Sequence, residues 1–392
     1  MEMKQLDILF LKTLLLCTAG IIMTQVLGLD DLTSLLFLLT FPLTVLLWMR
    51  SVRKTMTGKD LLMLLTSMLA FVNVMLDLGR AGGTLTFSYI KKLIMFTMTL
   101  MFLQTAHRIR VKEDMARFID RIVDFLTVFL IFMYFADNSS MHLLNGMITR
   151  YLTFRFSNPN TTGLFLISLY MLELYRLFAR ERWYLKLIHI IMACFLGWFV
   201  LGTESRNCLL VLLMFTAACF WLEFRSRRKL RISRFWAFVI AWFPAAFVGV
   251  YMLFVYAPWV QKLLSFLVDV GKGLDSRTRI WTESLRFIAE SPLIGSYHGI
   301  SDGTGAIQLH NSHLDIAASY GIPVLAMVCS LLTTYLYQKG RYYEDKESFS
   351  YMLAFACAIM LGLGEAALFA GGLGIYIFAG IFLMLSSRET KK

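Results

Sequence analysis

Charged residues are scarce in this chain. They make up 16% of its 392 residues, whereas a soluble globular protein has about 25%. Hydrophobic residues reach 58% and the mean hydropathy is +0.65, so the composition excludes an ordinary soluble protein and indicates an integral membrane protein. The net charge of +12 does not indicate nucleic-acid binding, because the basic residues lie in short loops between apolar segments and form no extended basic face.

Proline and cysteine are also sparse. The six prolines form no Pro-rich linker and no internal repeat is evident, so we expect one transmembrane domain over residues 1–392. The six cysteines all lie in apolar segments and form no Cys-x-x-Cys pair, which argues against disulfides and against zinc ligands. No cleavable signal peptide is evident, because the first apolar segment, from Leu6, lacks a small-residue cleavage site.

The chain is rich in long apolar segments. A helix needs about 20 residues to cross the hydrocarbon core. On this basis the sequence predicts an all-α polytopic membrane protein with eleven or twelve transmembrane helices. The candidate segments are 6–28, 32–49, 60–78, 90–106, 121–137, 161–179, 186–202, 207–224, 235–257, 313–336, 349–369 and 372–387.

Basic residues are distributed unequally between the two sides of these segments. If the N-terminus is cytoplasmic, more than two thirds of the 38 basic residues lie on the cytoplasmic side, as the positive-inside rule requires. We therefore predict that both termini are cytoplasmic. The longest connection, residues 258–312, then lies on the outer face. Neither ATP nor a nucleotide sugar is present there, so any chemistry needs a substrate that is already energised.

Two polar stretches follow or precede apolar segments on the predicted outer face. Residues 150–163 read "RYLTFRFSNPNTTG"; here Asn160 or Thr161 is expected to cap the next helix, whose N-terminal end suits an anion. An ordinary capped loop explains the same pattern. Residues 202–213 read "GTESRNCLLVLL", in which Arg206 suits bidentate capture of a lipid-linked phosphate, although a charged turn between two helices is equally typical of an interface.

Residues 275–299 form the third polar stretch. Between Ile280 and Ile288 the apolar residues recur at helical spacing, which predicts an amphipathic helix lying on the membrane. Arg277 and Arg279 precede this helix. Two arginines at a helix start are unusual, because the helix dipole favours acids there.

The fourth stretch, residues 308–323, reads "QLHNSHLDIAASYGIP" and opens the next apolar segment. His310 and His313 are three positions apart and would share a helical face, but no third metal ligand lies at a suitable spacing. The pattern therefore predicts no metal site. A histidine at a helix start is often structural. This stretch therefore indicates a function only in combination with the other three.

In order and spacing, the four stretches resemble the bacterial O-antigen ligase and O-antigen polymerase (Wzy-type) family. The matching features are Asn158-Pro159-Asn160, Ser205-Arg206-Asn207, Arg279-Ile280-Trp281 through Pro292-Leu293-Ile294-Gly295, and His310-Asn311 with Gly321 ten positions after Asn311. Two positions depart from the family pattern. Asn207 stands where glycine is common, and Val324 stands where the ligase pattern usually has Gly, Thr or Tyr, which favours a polymerase over a ligase.

The resemblance implies a glycosyltransferase bundle of the GT-C-like kind that transfers a glycan from undecaprenyl diphosphate to a sugar hydroxyl. It implies His310 as the general base, and Arg206, Arg277 and Arg279 as the guanidinium groups that stabilise charge on the departing diphosphate without a metal or other cofactor. The residues that it implies for substrate binding are Asn160, Arg155, Arg80, His313 and Asn311, the last of which positions either the acceptor or the imidazole. The partners that it implies are a lipid-linked glycan donor, a glycan or lipid-linked acceptor, membrane lipid, a flippase and a chain-length regulator.

Two alternatives remain open. A ligase uses the same donor and chemistry but a lipid core or another terminal acceptor. A lipid-linked oligosaccharide transporter belongs to a different class. Internal repeats and charges within the membrane are typical of transporters, and the sequence shows neither clearly.

Overall fold

The fold is known from a computed structural model. The residues that the structure describes are 5–53, 55–81, 87–136, 141–144, 147–156, 158–179, 183–224, 230–254, 257, 275–296, 309–341, 343, 346–365, 368–369 and 375–387. Most of the predicted outer loop, namely 258–274 and 297–308, lies outside these residues. The extent of that loop stays a prediction.

Helices make up nearly all of the described chain. Those before residue 258 are α1 (Gln5–Leu27), α2 (Asp30–Val52), α3 (Gly58–Ala81), α4 (Phe87–Arg108), α5 (Glu113–Ala136), α6 (Pro159–Ala179), α7 (Trp183–Gly202), α8 (Arg206–Phe224) and α9 (Arg234–Phe254). Those that follow are α10 (Asp275–Glu290), α11 (Ser312–Tyr320), α12 (Ile322–Lys339), α13 (Lys346–Met360), a 3₁₀ turn (Leu361–Leu363) and α14 (Ile375–Leu385). The sequence did not predict the antiparallel hairpin of β1 (Met141–Leu144) and β2 (Met147–Leu152) between α5 and α6.

The helices are those of an all-α polytopic membrane protein, as the sequence predicts. Seven spans within the described chain are long and apolar enough to cross a membrane: Gln5–Leu27, Asp30–Val52, Gly58–Arg80, Trp183–Gly202, Arg206–Phe224, Arg234–Phe254 and Lys346–Leu363. The count of twelve spans is not confirmed. Burial differs among these helices, since 22% of the α2 and α9 spans is buried but 78% of the α13 span. This contrast is expected of helices at the lipid-facing edge and in the centre of a bundle.

The predicted span 313–336 is two helices, because the chain breaks at Gly321. Gly321 has φ +88° and Gly295 has φ +82°, and a Cβ atom on Gly321 would lie 2.3 Å from the carbonyl oxygen of Leu293. Only glycine permits this backbone-to-backbone contact between the loop after α10 and the α11–α12 junction. Hydrogen bonds from Ser296 N to Ala318 O (2.7 Å) and from Ile322 N to Pro292 O (2.8 Å) secure the contact.

A side chain from α3 joins the two sides of this contact. The amide of Asn73, which is 3% exposed, donates to Leu293 O (3.1 Å) and to Tyr320 O (2.7 Å). The Pro292–Gly295 segment and the end of α11 are therefore fixed to each other and to α3. Both of these segments carry motif residues, so the fold holds two parts of the sequence pattern together.

Ion pairs connect helices of the described chain near the ends of the predicted spans. Lys92 in α4 pairs with Asp315 in α11, with Nζ 2.8 Å from Oδ1. Arg176 in α6 pairs with Asp124 in α5 at 2.6 Å. Single acidic and basic residues separated by many apolar ones do not alter a hydropathy profile much, but they find partners on neighbouring helices.

Candidate functional site

His310 occupies a constrained position just before α11. Its φ is +51°, a left-handed conformation that residues other than glycine seldom adopt. The chain on either side is fixed: the indole Nε1 of Trp281 in α10 donates to Leu309 O at 3.0 Å, and Asn311 is fully buried. The side chain of His310 remains 26% exposed. The surroundings therefore hold the backbone in place and leave the imidazole accessible.

Asn311 caps α11 and uses its whole amide in doing so. Its Oδ1 accepts hydrogen bonds from His313 N (3.0 Å) and Leu314 N (2.9 Å), as an N-cap side chain does. Its Nδ2 donates to Pro244 O in α9 (3.0 Å) and to Leu363 O (3.2 Å). Asn311 was expected to position either the acceptor or the imidazole. These contacts support the second role, because they fix the main chain next to His310.

Glu365 is the partner of His310. Its Oε2 lies 3.1 Å from His310 Nδ1, and its carboxylate is 4% exposed. The turn that carries Glu365 follows the 3₁₀ turn and is held by side chains of the motif segments. Ser312 Oγ donates to Glu365 O at 3.0 Å, and Asn207 Nδ2 donates to Leu361 O at 2.6 Å. Asn207, the departure from the family pattern, therefore connects the start of α8 to the Glu365 turn.

The first two polar stretches also meet. Asn158 Oδ1 accepts a hydrogen bond from Asn160 N at 2.8 Å, so Asn158 caps α6, and the expectation that Asn160 or Thr161 does so was wrong. The helix begins at Pro159, which favours the first position of a helix. A Cβ atom on Gly163 would lie 3.1 Å from Thr203 Oγ1 and 3.2 Å from Ser205 Cβ. The start of α6 therefore packs against the turn that precedes Arg206.

The three predicted phosphate-binding arginines lie at helix starts near these contacts. Arg206 is the first residue of α8 and is exposed, next to Asn207. Arg279 is exposed and lies two residues before Trp281, which contacts Leu309. Both Arg277 and Arg279 are within α10, so the expectation that they precede this helix was wrong, and the side chain of Arg277 is outside what the structure describes. The apolar side of α10, including the buried Trp281 and Phe287, packs towards α9 and α11.

The remaining predicted residues are placed differently. His313 is fully buried in α11, with Nε2 2.8 Å from Ala241 O. Arg155 is exposed and donates to Leu27 O at the end of α1 (3.0 Å). Arg80 is exposed near the end of α3, and Asn160 is partly exposed in the first turn of α6. The contacts found within the described chain do not connect Arg80 or Arg155 to His310.

Backbone strain marks the same segments. The residues other than glycine that have positive φ in the described chain are Phe154, Arg155, Glu204 and His310. Each lies in one of the polar stretches selected from the sequence. Such conformations persist only where surrounding contacts impose them, and they often accompany functional sites.

Sequence reasoning missed Glu365, and a signal for it was present. It is an acid inside an apolar segment, "LGLGEAALFA", and ionisable residues within membrane segments generally have a function or a buried partner. Asn73 carried no such signal, since a lone amide in an apolar helix has many possible partners. The pairing of Lys92 with Asp315 could likewise not be predicted without knowing how the helices are arranged.

One group of the described residues brings three possible metal ligands together. Ligand atoms of Asp124, Glu173 and His189 lie within 4.8 Å of one another, between α5, α6 and α7. Arg176 already pairs with Asp124 and approaches Glu173 Oε1 at 3.3 Å, while His189 Nδ1 lies 2.8 Å from Glu173 Oε2. The Arg176 guanidinium and the His189 imidazole already contact these carboxylates. The group is therefore an ion-pair network that joins three helices.

Comparison with protein families finds a match over part of the chain. Residues 190–329 match the family model described as O-antigen ligase. The match includes Arg206, α10 and the His310–Asn311 stretch. It supports assignment to the O-antigen ligase and polymerase family.

The family match also bears on function. It supports a glycan transfer of the O-antigen ligase and polymerase type by a multi-pass membrane protein. Neither a curated protein nor a solved structure matches the chain.

Proposed function

We propose that the protein is a polysaccharide polymerase that transfers a glycan from a polyprenyl diphosphate, such as undecaprenyl diphosphate, to a sugar hydroxyl. The observation that carries this proposal is the pairing of an accessible His310 with a buried Glu365 at a site between motif segments. A base that a carboxylate orients is the usual means of removing a proton from a hydroxyl nucleophile.

In this proposal the pairing of His310 with Glu365 sets the proton positions. An ionised carboxylate only accepts hydrogen bonds. Nδ1 of His310 therefore carries a proton and donates a hydrogen bond to Glu365 Oε2, 3.1 Å away. The lone pair of Nε2 is then available to the acceptor hydroxyl. As Nε2 takes the proton, the acceptor oxygen bonds to the anomeric carbon of the donor and the bond from that carbon to the diphosphate oxygen breaks. Glu365 stabilises the resulting imidazolium.

The departing diphosphate needs positive charge, and arginines supply it in this proposal. Arg206 starts α8, next to Asn207, which contacts the Glu365 turn. Arg279 lies in the second turn of α10, two residues before Trp281, which contacts Leu309. A planar guanidinium binds two phosphate oxygens at once, and preorganised donors stabilise charge that develops in the transition state. We propose Arg277 for the same role from its position in the sequence. No step in this mechanism requires a metal ion.

A ligase is the second candidate, because the matching family model is described as O-antigen ligase. The chemistry at His310 is the same, and only the acceptor differs. The active site is proposed to face the outside of the cytoplasmic membrane, where the donor would be delivered by a flippase. A chain-length regulator is a proposed partner for a polymerase only.

Reconstitution tests both candidates. The purified protein is incubated in detergent with lipid-linked glycan repeats, with and without a lipid-core acceptor, and the products are separated on a gel. Growth of a ladder on the carrier lipid supports a polymerase, whereas transfer only to the core acceptor supports a ligase. Absence of both products with an active donor would contradict the proposal. A chelator is included in parallel, and loss of activity with it would contradict a metal-independent mechanism.

A further inference from the structure

A cluster of basic side chains lies at the end of the bundle away from His310. It consists of Lys59 at the start of α3, His107 and Arg108 at the end of α4, and Lys339 at the end of α12. Lys59 Nζ donates to Gln338 Oε1 at 2.5 Å and lies 3.5 Å from His107 Nδ1. Lys339 Nζ donates to Ser387 Oγ, just after α14. The ends of four helices therefore meet at this basic cluster.

The distance from the candidate active site follows from helix geometry. In α3, Asn73 contacts Leu293 and Tyr320, and Lys59 lies about 20 Å from it at about 1.5 Å per residue. In α12, Lys339 ends the helix that begins at Ile322, beside Gly321. The basic cluster and the His310 region therefore occupy opposite ends of these helices. The sequence predicts that the end with the basic cluster is cytoplasmic.

One acid contacts the cluster, and Arg108 balances its charge. Asp60 is fully buried, and its carboxylate accepts from Arg108 Nη2 (2.6 Å), Gln104 Nε2 (2.7 Å) and Thr57 N (2.7 Å). Within the described chain, no carboxylate pairs with Lys59 or Lys339; their partners are the neutral side chains named above.

The two lysines are also repelled by neighbouring cations. Burial disfavours the charge on both lysines. Arg108 repels the charge on Lys59 while Asp60 attracts it, and Arg110 and Lys59 repel the charge on Lys339. Both lysine side chains are only partly exposed. Repulsion between half-buried like charges opposes folding unless an anion lies among them.

His107 adds a donor without a partner. It is 9% exposed, its ring lies against that of Tyr335 with centroids 4.9 Å apart, and its buried Nε2 has no hydrogen-bond partner in the described chain. Buried polar atoms nearly always have partners. An unpartnered nitrogen on a ring whose other nitrogen lies 3.5 Å from Lys59 Nζ therefore indicates that a group is missing from the cluster.

We propose that Lys59, His107 and Lys339 bind a phosphate-bearing anion. The chemistry fits a phosphate group, which offers several strong acceptor oxygens to ammonium donors and balances their charge. Such a group belongs either to the head group of an anionic phospholipid or to a phosphate ion from the adjacent aqueous phase. Basic residues near a membrane surface attract anionic lipid in the same way.

Two binding measurements on the full-length protein in neutral detergent test this inference. Native mass spectrometry with phosphatidylglycerol, and with phosphatidylcholine for comparison, measures lipid retention. Thermal unfolding in sodium phosphate, and in sodium chloride at equal ionic strength, measures binding of the free ion, because a ligand of the folded state raises Tm. Retention of phosphatidylglycerol alone identifies a lipid head group, and a Tm increase in phosphate alone identifies the free ion. If neither occurs, the inference is wrong.

Variants show whether the cluster is the site. The double change Lys59→Gln with Lys339→Gln should abolish the retained lipid or the phosphate effect, whereas Lys186→Gln, an exposed lysine on α7, should leave them unchanged. Without ligand, the double variant should unfold at the same temperature as the wild type or higher, because the repulsion is removed. Undiminished binding in the double variant would overturn the inference. A lower Tm of the ligand-free double variant would show that the lysines are already compensated, and would overturn it as well.

Discussion

Glu365 and His310 lie 55 positions apart in the chain, yet the Glu365 Oε2 atom is 3.1 Å from His310 Nδ1. The carboxylate is almost completely buried while the imidazole is partly accessible. A buried carboxylate that faces one ring nitrogen determines which nitrogen is free to act as a base. In the proposed mechanism, the acid therefore contributes to catalysis without touching the substrate.

The change Glu365→Gln should reduce the transfer rate by about 10-fold or more, because the imidazolium that forms in the transition state loses its counter-charge. The acidic limb of the pH–rate profile should move to lower pH, since the protonated ring is no longer stabilised. A purely structural role would not move this limb. Glu290→Gln, at an exposed acid at the end of α10, is the matched control and should leave rate and profile unchanged. An unchanged profile in Glu365→Gln would contradict the assigned role.

His310→Ala should lower the transfer rate on the order of 10²–10⁴-fold while the protein inserts and unfolds normally, as expected for loss of a general base. His313→Ala should act on stability instead, because the ring is fully buried and bonded to Ala241 O. Rates and Tm values of the two purified variants distinguish these outcomes. If His313→Ala abolishes transfer at normal Tm and His310→Ala is active, the base has been assigned to the wrong histidine.

Gly321→Ala should prevent accumulation of folded protein. A positive φ costs a non-glycine residue about 1–2 kcal/mol, and the added Cβ would also collide with the main chain of Leu293 at 2.3 Å. Gly249→Ala in α9 is the control, since nothing lies within 4 Å of its added Cβ atom and alanine favours a helix. Fluorescence-detected size exclusion compares the two. Normal yield and Tm for Gly321→Ala would show that the junction can rearrange.

Arg206→Lys should cause a severe loss of transfer at normal protein level, because lysine keeps the charge but not the planar pair of donors. Arg286→Lys in α10 should be tolerated better, since Arg286 is exposed and pairs with Glu283 and Glu290 on the surface of its own helix. The measurement is product formation at equal amounts of protein. Full activity of Arg206→Lys would show that Arg206 only lies at the membrane interface and does not bind the diphosphate.

The predicted orientation can be tested by labelling cysteines introduced at exposed positions. In a cysteine-free background, Leu293→Cys should react with a membrane-impermeant maleimide in intact cells, with the outer membrane permeabilised if there is one. Arg341→Cys should react only after the cytoplasmic membrane is opened. Both side chains are exposed in the structure. The reverse pattern would invert the predicted topology.

Hydropathy and motif order predicted much of the fold, because the length of an apolar segment and the charge of a loop are local properties of the chain. Each of the twelve predicted segments overlaps a helix of the described chain, but helix interruption could not be read from composition. Gly321 looks like an ordinary helical glycine in sequence, and its positive φ follows from packing against Leu293. The beginning of α10 was also misplaced: the helix starts at Asp275, and Thr278 in its first turn contacts Tyr251 in α9, with the two hydroxyl oxygens 2.8 Å apart.

The candidate site could be predicted only in part for a similar reason. His310 and Asn311 stand out locally by polarity in an apolar chain. Glu365 could not be predicted locally, because its partner His310 lies in the predicted outer loop, 55 positions away in the chain. Asn311 was expected near the acceptor or the imidazole, and the four hydrogen bonds of its amide are all to the protein main chain. The roles of these residues in transfer stay predictions until the variants are measured.

The turn that presents Glu365 is held through its main-chain carbonyl groups. Asn207, Asn311 and Ser312 donate to the carbonyl oxygens of Leu361, Leu363 and Glu365, and none of these bonds depends on the side chains of the turn. Mutational drift at Leu361 and Leu363 should therefore be tolerated as long as apolar character is kept. The three donors lack this freedom, because a change in any one removes a hydrogen bond to a buried main-chain carbonyl. The shape of the turn is thus encoded mainly by residues distant from it in the chain.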